Sequence, residues 1–346
     1  LLEWSALQTQ PGLTPQRGIV RLRVAHSSGI SSVTSPYGWQ QTQLAPGTHA
    51  FGLNLLHPPL FAGFAASNTA TTIELADLAA HGRSPDPDAR YYLEVRNGTY
   101  EGHRFDLATV AEGSVTIDTN SPHNTLPSLP ASVLTGARVV VRPHVTVEQV
   151  FPKENFTGGS RVTTSDQVLF HKDGKYETLF LLQTGSPTTG WHQWVTSQDA
   201  TLSDAGQRII PPGTGLMVRI VSSAKRISFM GAVRVDPFVQ KLVPGHNLIA
   251  NPWPLDTSPK VAGLTLENGF TGTLRPGTSD QLQLWNGIGY TSYWLVNGGT
   301  TWRHWTAMDS ATLADHSALP LLRTHQATFL KVHELSTRAP WVLRVP

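Results

Sequence analysis

The sequence predicts an all-β protein made of two related β-sandwich domains, the first of which carries a small barrel-like insertion. Three observations predict this fold: a long segment that occurs twice, many short strands of alternating polarity, and almost no helical periodicity. Residues 165–182 read SDQVLFHKDGKYETLFLL, and residues 279–296 read SDQLQLWNGIGYTSYWLV. A unit used twice in this way is typical of a scaffold.

The repeat extends beyond these segments. A second, shorter element also occurs twice, since PGTHAFGLN from residue 46 resembles PGHNLIAN from residue 244. In the long element the alignment needs only one three-residue deletion, in a turn before a Trp-containing strand. The equivalent pairs are Asp166 and Asp280, Tyr176 and Tyr290, Trp191 and Trp302, and Trp194 and Trp305.

A spacer separates the first short element from the first long one. Its segments TTIEL, RYYLEVRNG, HRFDL, SVTIDT and ARVVVRPHV alternate in polarity between Gly, Asn, Pro and Asp turns, which predicts a small barrel or compact sheet. VTVEQVF at 145–151 predicts one helical turn leading back to the repeat. Each long element then reads as a hairpin, a Trp-containing strand, a polar stretch and a final hairpin.

These patterns define the expected domains. Residues 1–15 form an N-terminal extension outside the repeat, and residues 66–145 an inserted small β-domain. The first β-sandwich comprises 16–65 and 146–238, and the second comprises 239–346.

Composition limits the function classes. Charged residues make up 14% of the 346 residues, against roughly 25% in an average soluble protein. The 26 basic and 24 acidic residues are scattered along the chain and form no basic stripe. The sequence therefore does not predict a nucleic-acid partner. Cysteine is absent, and no apolar run approaches the roughly 20 residues of a transmembrane segment. Because the chain starts at Leu1 without Met, we expect a cleaved signal peptide and an extracellular or cell-surface location.

Several motifs occur in an order that resembles a known family. LHPPLFAGFAAS, YYLEVRNGTYEGHRFDL, ARVVVRPHVTVEQVF and SDQVLF, followed by a Trp-bearing strand and IIPPGTGLMVRI, resemble an exported bacterial family abundant in Verrucomicrobia and relatives. The resemblance implies the two-copy layout over 16–346 and assigns no activity or site residue. The second copy has RTHQATFLKV where the first has PPGTGLMVRI, which argues against one identical binding task for both copies.

The sequence gives only weak evidence for catalytic or metal-binding residues. None of the 14 His residues lies in a compact ligand spacing. The repeated Asp166 and Asp280 are expected to cap backbone N–H groups rather than catalyse, since one active site seldom needs the same Asp in two domains. Asp86 and Asp88 are interpreted first as part of a turn, with a calcium site as the alternative. The sequence therefore predicts no enzyme activity, no cofactor and no metal.

Aromatic and apolar residues supply the remaining candidates. Trp191, Trp194, Trp302 and Trp305 form a candidate aromatic contact surface, with one Trp of each W-x-x-W pair expected in the core because i and i+3 face opposite sides of a strand. The N-terminal extension is expected to contact another subunit or to fold back on its own domain, since it is too apolar for a solvated tail. Its candidate contact residues are Leu1, Leu2, Trp4, Leu7 and Leu13.

Two functions follow from these observations. The first is a secreted, non-enzymatic structural protein that assembles with itself into a filament, tube or surface layer. The alternative is an extracellular carbohydrate-binding protein that presents Trp and Tyr platforms to a polysaccharide. A structural subunit should polymerise without ligand, whereas a binder should stay monomeric and bind glycans.

Overall fold

A computed structural model describes most of the chain, with side chains described from Pro36 onward. The described residues are 16–20, 23–25, 31–33, 36–75, 78, 84–185, 190–299, 303–333 and 341–343. The predicted fold class is confirmed, because the structure is all-β. Helical structure in these ranges consists of α1 (Val147–Val150) and short 3-10 turns at Lys153–Asn155, Val162–Thr164, Leu266–Asn268 and Pro276–Thr278.

The strands fall into four groups along the chain. Before the barrel are β1 (Gln16–Val20), β2 (Arg23–Ala25), β3 (Ser31–Val33), β4 (Tyr37–Leu44), β5 (Gly47–Gly52) and β6 (Leu55–Leu56). The barrel contains β7 (Phe61–Asn68), β8 (Thr72–Leu75), β9 (Tyr91–Val95), β10 (Arg104–Val110), β11 (Ser114–Ile117) and β12 (Arg138–Pro143). The next strands are β13 (Val145–Thr146), β14 (Gln167–Lys172), β15 (Lys175–Gln183), β16 (His192–Thr196), β17 (Ile209–Ile210), β18 (Gly215–Ile220), β19 (Lys225–Val233) and β20 (Phe238–Gln240). The last are β21 (Gly245–Ala250), β22 (Gln281–Trp285), β23 (Tyr290–Asn297), β24 (Arg303–Ala307), β25 (Ala327–Val332) and β26 (Trp341–Leu343).

The two copies of the repeat form five-stranded sheets of the same strand order. The first sheet runs β16-β15-β14-β18-β5, and the second runs β24-β23-β22-β25-β21. Equivalent residues also occupy equivalent registers, since Leu181 pairs with Trp194 in one sheet and Leu295 with Trp305 in the other. The division of the chain into domains stays a prediction, which this shared topology supports.

Each five-stranded sheet has a hydrophobic core on one face. The first core lies between that sheet and the four-stranded sheet β1-β4-β19-β6, with Leu44, Trp194 and Phe229 among its buried residues. The second core lies beneath the pair β20-β26 and the loops that follow β21. The larger sheets therefore resemble each other more closely than the layers that cover them.

The spacer forms a closed barrel of strand order β10-β11-β8-β7-β12-β9. Its first strand begins at Phe61, whereas the sequence analysis started the insertion at residue 66. β7 belongs to the barrel because it pairs with β8 on one side and with β12 on the other. Since Phe61 pairs with Val141, the chain enters and leaves the barrel on neighbouring strands, as expected of an insertion.

The predicted final hairpins are wrong. β18 pairs with β14 and β5, whereas β19 pairs with β4 and β6 in the opposite layer. In the second copy, β25 and β26 likewise lie in different sheets. Alternating polarity shows which residues face a core, but it does not identify the neighbouring strand. The helical turn predicted within 145–151 is confirmed as α1, which begins where Gln149 Oε1 accepts the Thr146 N–H at 2.9 Å.

The two five-stranded sheets pack against each other through the faces that point away from their cores. Met217, Leu248, Ala327 and Phe329 form a buried cluster at this interface. Close approach depends on glycine, since a Cβ added to Gly215 would lie 2.6 Å from the Cβ of Ala327. Gly215 and Ala327 occupy the same position in the two sheets, so the interface resembles that of a symmetric dimer within one chain.

Candidate functional site

The repeated aspartates are fully buried and make matching hydrogen bonds. Asp166 Oδ2 accepts the N–H of Thr157 at 2.7 Å, and Asp280 Oδ2 accepts the N–H of Thr271 at 2.7 Å. The other oxygens accept Val221 N–H at 2.8 Å and His333 N–H at 2.7 Å. Each carboxylate therefore joins two loops to the first strand of a hairpin, which is the capping role predicted from the sequence.

In the first W-x-x-W pair one Trp lies in the core and the other faces outward, as predicted, which removes the buried Trp residues from the candidate aromatic contact surface. Trp194 and Trp305 are buried core residues, so they cannot contact a partner. Their indole N–H groups donate to the carbonyl oxygens of Phe151 at 2.9 Å and Leu264 at 2.7 Å. Trp191 is 51% exposed, and Trp302 lies outside the described residues. Of the three described members of this candidate surface, Trp191 remains a contact candidate.

The predicted N-terminal contact residues Leu1, Leu2, Trp4, Leu7 and Leu13 lie outside the described residues. The next residue along the chain after the extension, Gln16, begins β1. Among the described strands, β1 is the terminal strand of its four-stranded sheet and pairs only with β4. The extension is thus joined to an edge strand, whose outer N–H and C=O groups are suited to pair with another chain.

An apolar face lies beside this edge. Tyr37, Trp39 and Met230 point away from the first core, on the solvent face of β4 and β19. Trp39 pairs with Met230, which is 76% exposed, and Tyr37 is 40% exposed. We call these three residues the apolar face. This face was not predicted from the sequence, although YGWQQTQL places both aromatic rings on the same side of a strand.

The surroundings of the apolar face carry little charge. Gln41, Gln43 and Ser228 continue the same solvent side of the sheet, and Arg226 is its charged residue within β4 and β19. Charged side chains on exposed strands normally oppose association between sheets. Their scarcity here, next to an edge strand, makes the sheet a candidate assembly surface.

A buried group of charges lies between the barrel strands β9, β10 and β12 and the segment that follows β19. We call Arg96, Arg104, Arg142 and Arg234, together with Glu94, the arginine cluster. Glu94 accepts hydrogen bonds from Arg234 and from Arg96, the latter at 3.0 Å, and lies 3.7 Å from Arg142. Arg96 also pairs with Asp236. Glu94 thus links barrel strands to the segment that follows β19.

Arg104 has no carboxylate partner among the described residues. Its guanidinium donates to the carbonyl oxygens of Pro212 at 2.7 Å and Val239 at 3.2 Å. It also lies 4.0 Å above the ring of Phe238. The arginine cluster therefore connects three parts of the chain through backbone carbonyls as well as through charge.

The pKa values in the arginine cluster follow from burial and crowding. Burial and the neighbouring Arg234 lower the pKa of Arg104 to about 10. Burial lowers the pKa of Arg96 to about 10, and the charge of Glu94 only partly opposes this. Burial alone would raise the pKa of Glu94, but Arg234, Arg96 and Arg142 outweigh it and hold that pKa far below its usual range.

The predicted turn at Asp86 and Asp88 is present, since Asp86 Oδ1 accepts the N–H of Asp88 at 3.0 Å. Within the ranges that the structure describes, no three His, Cys, Asp or Glu side chains lie close enough together to hold a metal ion. In the same ranges, no helix has the length and apolar character required to cross a bilayer.

The chain was compared with family models, with curated proteins and with solved structures, and none of them matched it. The resemblance to an exported bacterial family therefore stays an expectation based on motifs.

Proposed function

We propose that the protein is a secreted, non-enzymatic structural subunit that assembles with copies of itself into an extracellular filament, tube or surface layer. The observation that carries the proposal is the apolar face of Tyr37, Trp39 and Met230 beside the edge strand β1. Exposed apolar surface next to a strand that has only one neighbour among the described strands favours association between chains.

The proposed occupant of this surface is the segment 1–15 of a second copy. An extended segment that adds a strand to a sheet edge gains main-chain hydrogen bonds, while alternate side chains enter pockets or cover apolar surface. In this arrangement the later part of the segment, with Leu7 and Leu13, would form the added strand beside β1. Because β1 separates that strand from β4 and β19, Leu2 and Trp4 at the start of the segment would cross over the sheet and cover Trp39 and Met230, which otherwise remain in contact with water.

Docking of this kind produces an open polymer. The segment and the sheet are different surfaces of one chain, so each subunit offers one of each to its neighbours. Contacts between unlike surfaces form rings when the rotation closes and filaments or layers when it does not. A low content of charge, 14% of residues, reduces repulsion between the assembled copies.

The first test is deletion of residues 1–15. Negative-stain microscopy and pelleting should show polymers of the full chain without added ligand, and a folded monomer after the deletion. A synthetic peptide of residues 1–15 should then bind the shortened protein, and Met230→Lys should abolish this binding. Polymers that persist unchanged after the deletion would contradict the proposed contact.

The half-exposed Trp191 favours the alternative function, binding of polysaccharide. An indole with one free face can stack on a sugar ring. By contrast, Tyr290 packs edge to face with Trp285 at 5.0 Å and with Phe329 at 5.7 Å, so its ring is engaged within the protein. Affinity electrophoresis in polysaccharide gels separates the two functions, because a binder is retarded as a monomer and Trp191→Ala removes the retardation.

A further inference from the structure

A small cavity borders the arginine cluster. It lies between Tyr92 of the barrel, Asn54 and the Pro211–Gly213 turn of the first sandwich, and Arg234 after β19. Its volume is about 10 Å³, which is about the space in which one water-sized particle fits. A single atom or a water molecule therefore fits this space better than an oxyanion such as sulfate or a carboxylate.

Two side chains that can donate hydrogen bonds, Arg234 and Tyr92, border the cavity. Arg234 lines the cavity with its side chain 2% exposed, and its Nε has no hydrogen-bond partner in the structure. Tyr92 is also buried, and a neutral phenol can donate its O–H. Burial and the charge of Glu94 raise the pKa of Tyr92, so this hydroxyl keeps its proton. A buried N–H without an acceptor costs about 1–3 kcal/mol, which an acceptor in the cavity would remove.

Charge distinguishes an anion from water as that acceptor. The arginine cluster and Asp236 contain four guanidinium groups and two carboxylates, Glu94 and Asp236. Asp106 bonds to His144 at 3.0 Å and to Ser121 at 2.6 Å and adds a third negative charge that acts on Arg104, so four positive groups face three carboxylates. The buried positive charge thus exceeds the negative charge, and burial of uncompensated charge is costly. A negative ion next to Arg234 would offset part of this excess, whereas water would not.

We propose that the cavity between Arg234 and Tyr92 binds one monatomic anion, chloride under physiological conditions. The ion would accept hydrogen bonds from Arg234 Nε and the Tyr92 hydroxyl. Because Tyr92 belongs to the barrel, Arg234 to the segment after β19 and Pro211–Gly213 to the first sandwich, the ion would hold these parts together. It is a structural ligand and is independent of the proposed assembly.

The first test is thermal unfolding at constant ionic strength while gluconate is replaced by chloride. A ligand that binds only the folded state raises the Tm in proportion to the logarithm of its concentration, once that concentration exceeds the dissociation constant. In a protein of this size the Tm should rise by about 2 °C for each tenfold increase in chloride. Arg208→Gln, at an exposed ion pair with Glu177, should keep the full chloride effect. Tyr92→Phe, which removes only the hydroxyl, should shift the effect to at least tenfold higher chloride.

The second test locates the ion. A crystal grown in bromide should give an anomalous scattering peak in the cavity, within contact distance of Arg234 Nε. The inference is overturned if Tm is the same in chloride and gluconate, if Tyr92→Phe and the parent respond identically, or if the bromide crystal shows no anomalous peak in the cavity.

Discussion

The side chains of Tyr176 and Tyr290 lie close enough to interact, although they occupy the same position in the two copies of the repeat. Each lies at the beginning of the second strand of its hairpin, opposite His171 and Trp285 respectively. A residue that contacts its own equivalent must lie near the axis that relates the two sheets. The internal contact therefore has the geometry of a symmetric dimer.

This contact predicts an unusual titration. Burial, the charge of Tyr290 and its hydrogen bond together raise the pKa of Tyr176 to about 12, from an ordinary value of 10.0. Stability contributed by the neutral phenol is complete below pH 10 and is lost as the pH rises towards 12, because the unfolded chain loses this proton first. Spectrophotometric or NMR titration should show a lower Tyr176 pKa in Tyr290→Phe. A Tyr176 pKa near 10 in the parent protein would contradict the contact.

Gly215 should be intolerant of a side chain. Its added Cβ would lie 2.6 Å from Ala327 Cβ and 2.9 Å from the carbonyl oxygen of Ile249, so Gly215→Ala should destabilise the protein by about 1–3 kcal/mol through overpacking. Denaturant unfolding provides the measurement. Gly289→Ala is the matched control, since its Cβ would meet nothing within 4 Å. Equal stability of the two variants would show that the sheets are not packed this closely.

Much of the fold could be predicted from the sequence, because the repeat and the alternating strands are local signals. The sequence predicts all the barrel strands except β7, whose residues FAGFAASN are small apart from two Phe and alternate poorly in polarity. Which strands are neighbours was not predictable, since β18 and β19 are adjacent in sequence yet lie in different layers. The interface between the two sheets also required the structure, because it depends on Gly215 lying opposite Ala327.

The candidate sites were less predictable. W-x-x-W identified Trp194 and Trp305 as equivalent, but only the structure places both in the core. The arginine cluster draws on Glu94, Arg142 and Arg234, which come from separate parts of the chain and carry no shared motif. Charged residues in strands are normally interpreted as solvent-facing, so EVR and VRP gave no sign of burial.

The Trp residues provide a third prediction. Trp194→Ala and Trp305→Ala should each cost about 3–5 kcal/mol, because both remove a buried indole from a core. Trp191→Ala should change the free energy of unfolding by less than about 0.5 kcal/mol, since Trp191 is half exposed. Chemical denaturation of the three variants checks the order. A loss at Trp191 as large as that at Trp194 would require Trp191 to be buried against another part of the chain.

Glu94 should contribute more to the free energy of unfolding than a surface carboxylate does. Glu94→Gln removes the buried negative charge that pairs with Arg234 and Arg96, so we expect a loss of about 3–5 kcal/mol. Glu177→Gln, at an exposed pair with Arg208, should cost about 0–1 kcal/mol. Comparable losses in the two variants would contradict the assigned role of Glu94.

Glu94 also predicts an acid dependence. Its folded pKa lies below the ordinary value of 4.5, so its contribution is present above pH 4.5 and is lost as the pH falls further, because the unfolded chain takes up the proton first. Unfolding measured between pH 3 and pH 6 should show a weaker decline for Glu94→Gln than for the parent. An unchanged decline would assign the acid sensitivity to other carboxylates.

The central claim is that the apolar face beside β1 mediates self-assembly, and the most direct measurement compares two single substitutions by sedimentation velocity. Met230→Lys places a charge on the apolar face, whereas Ile288→Lys places the same charge at a side chain that is 95% exposed in the turn before β23. We predict concentration-dependent polymers for the parent and for Ile288→Lys, and a folded monomer for Met230→Lys. A monomeric parent at all concentrations, or a Met230→Lys variant that polymerises like the parent, would contradict the claim.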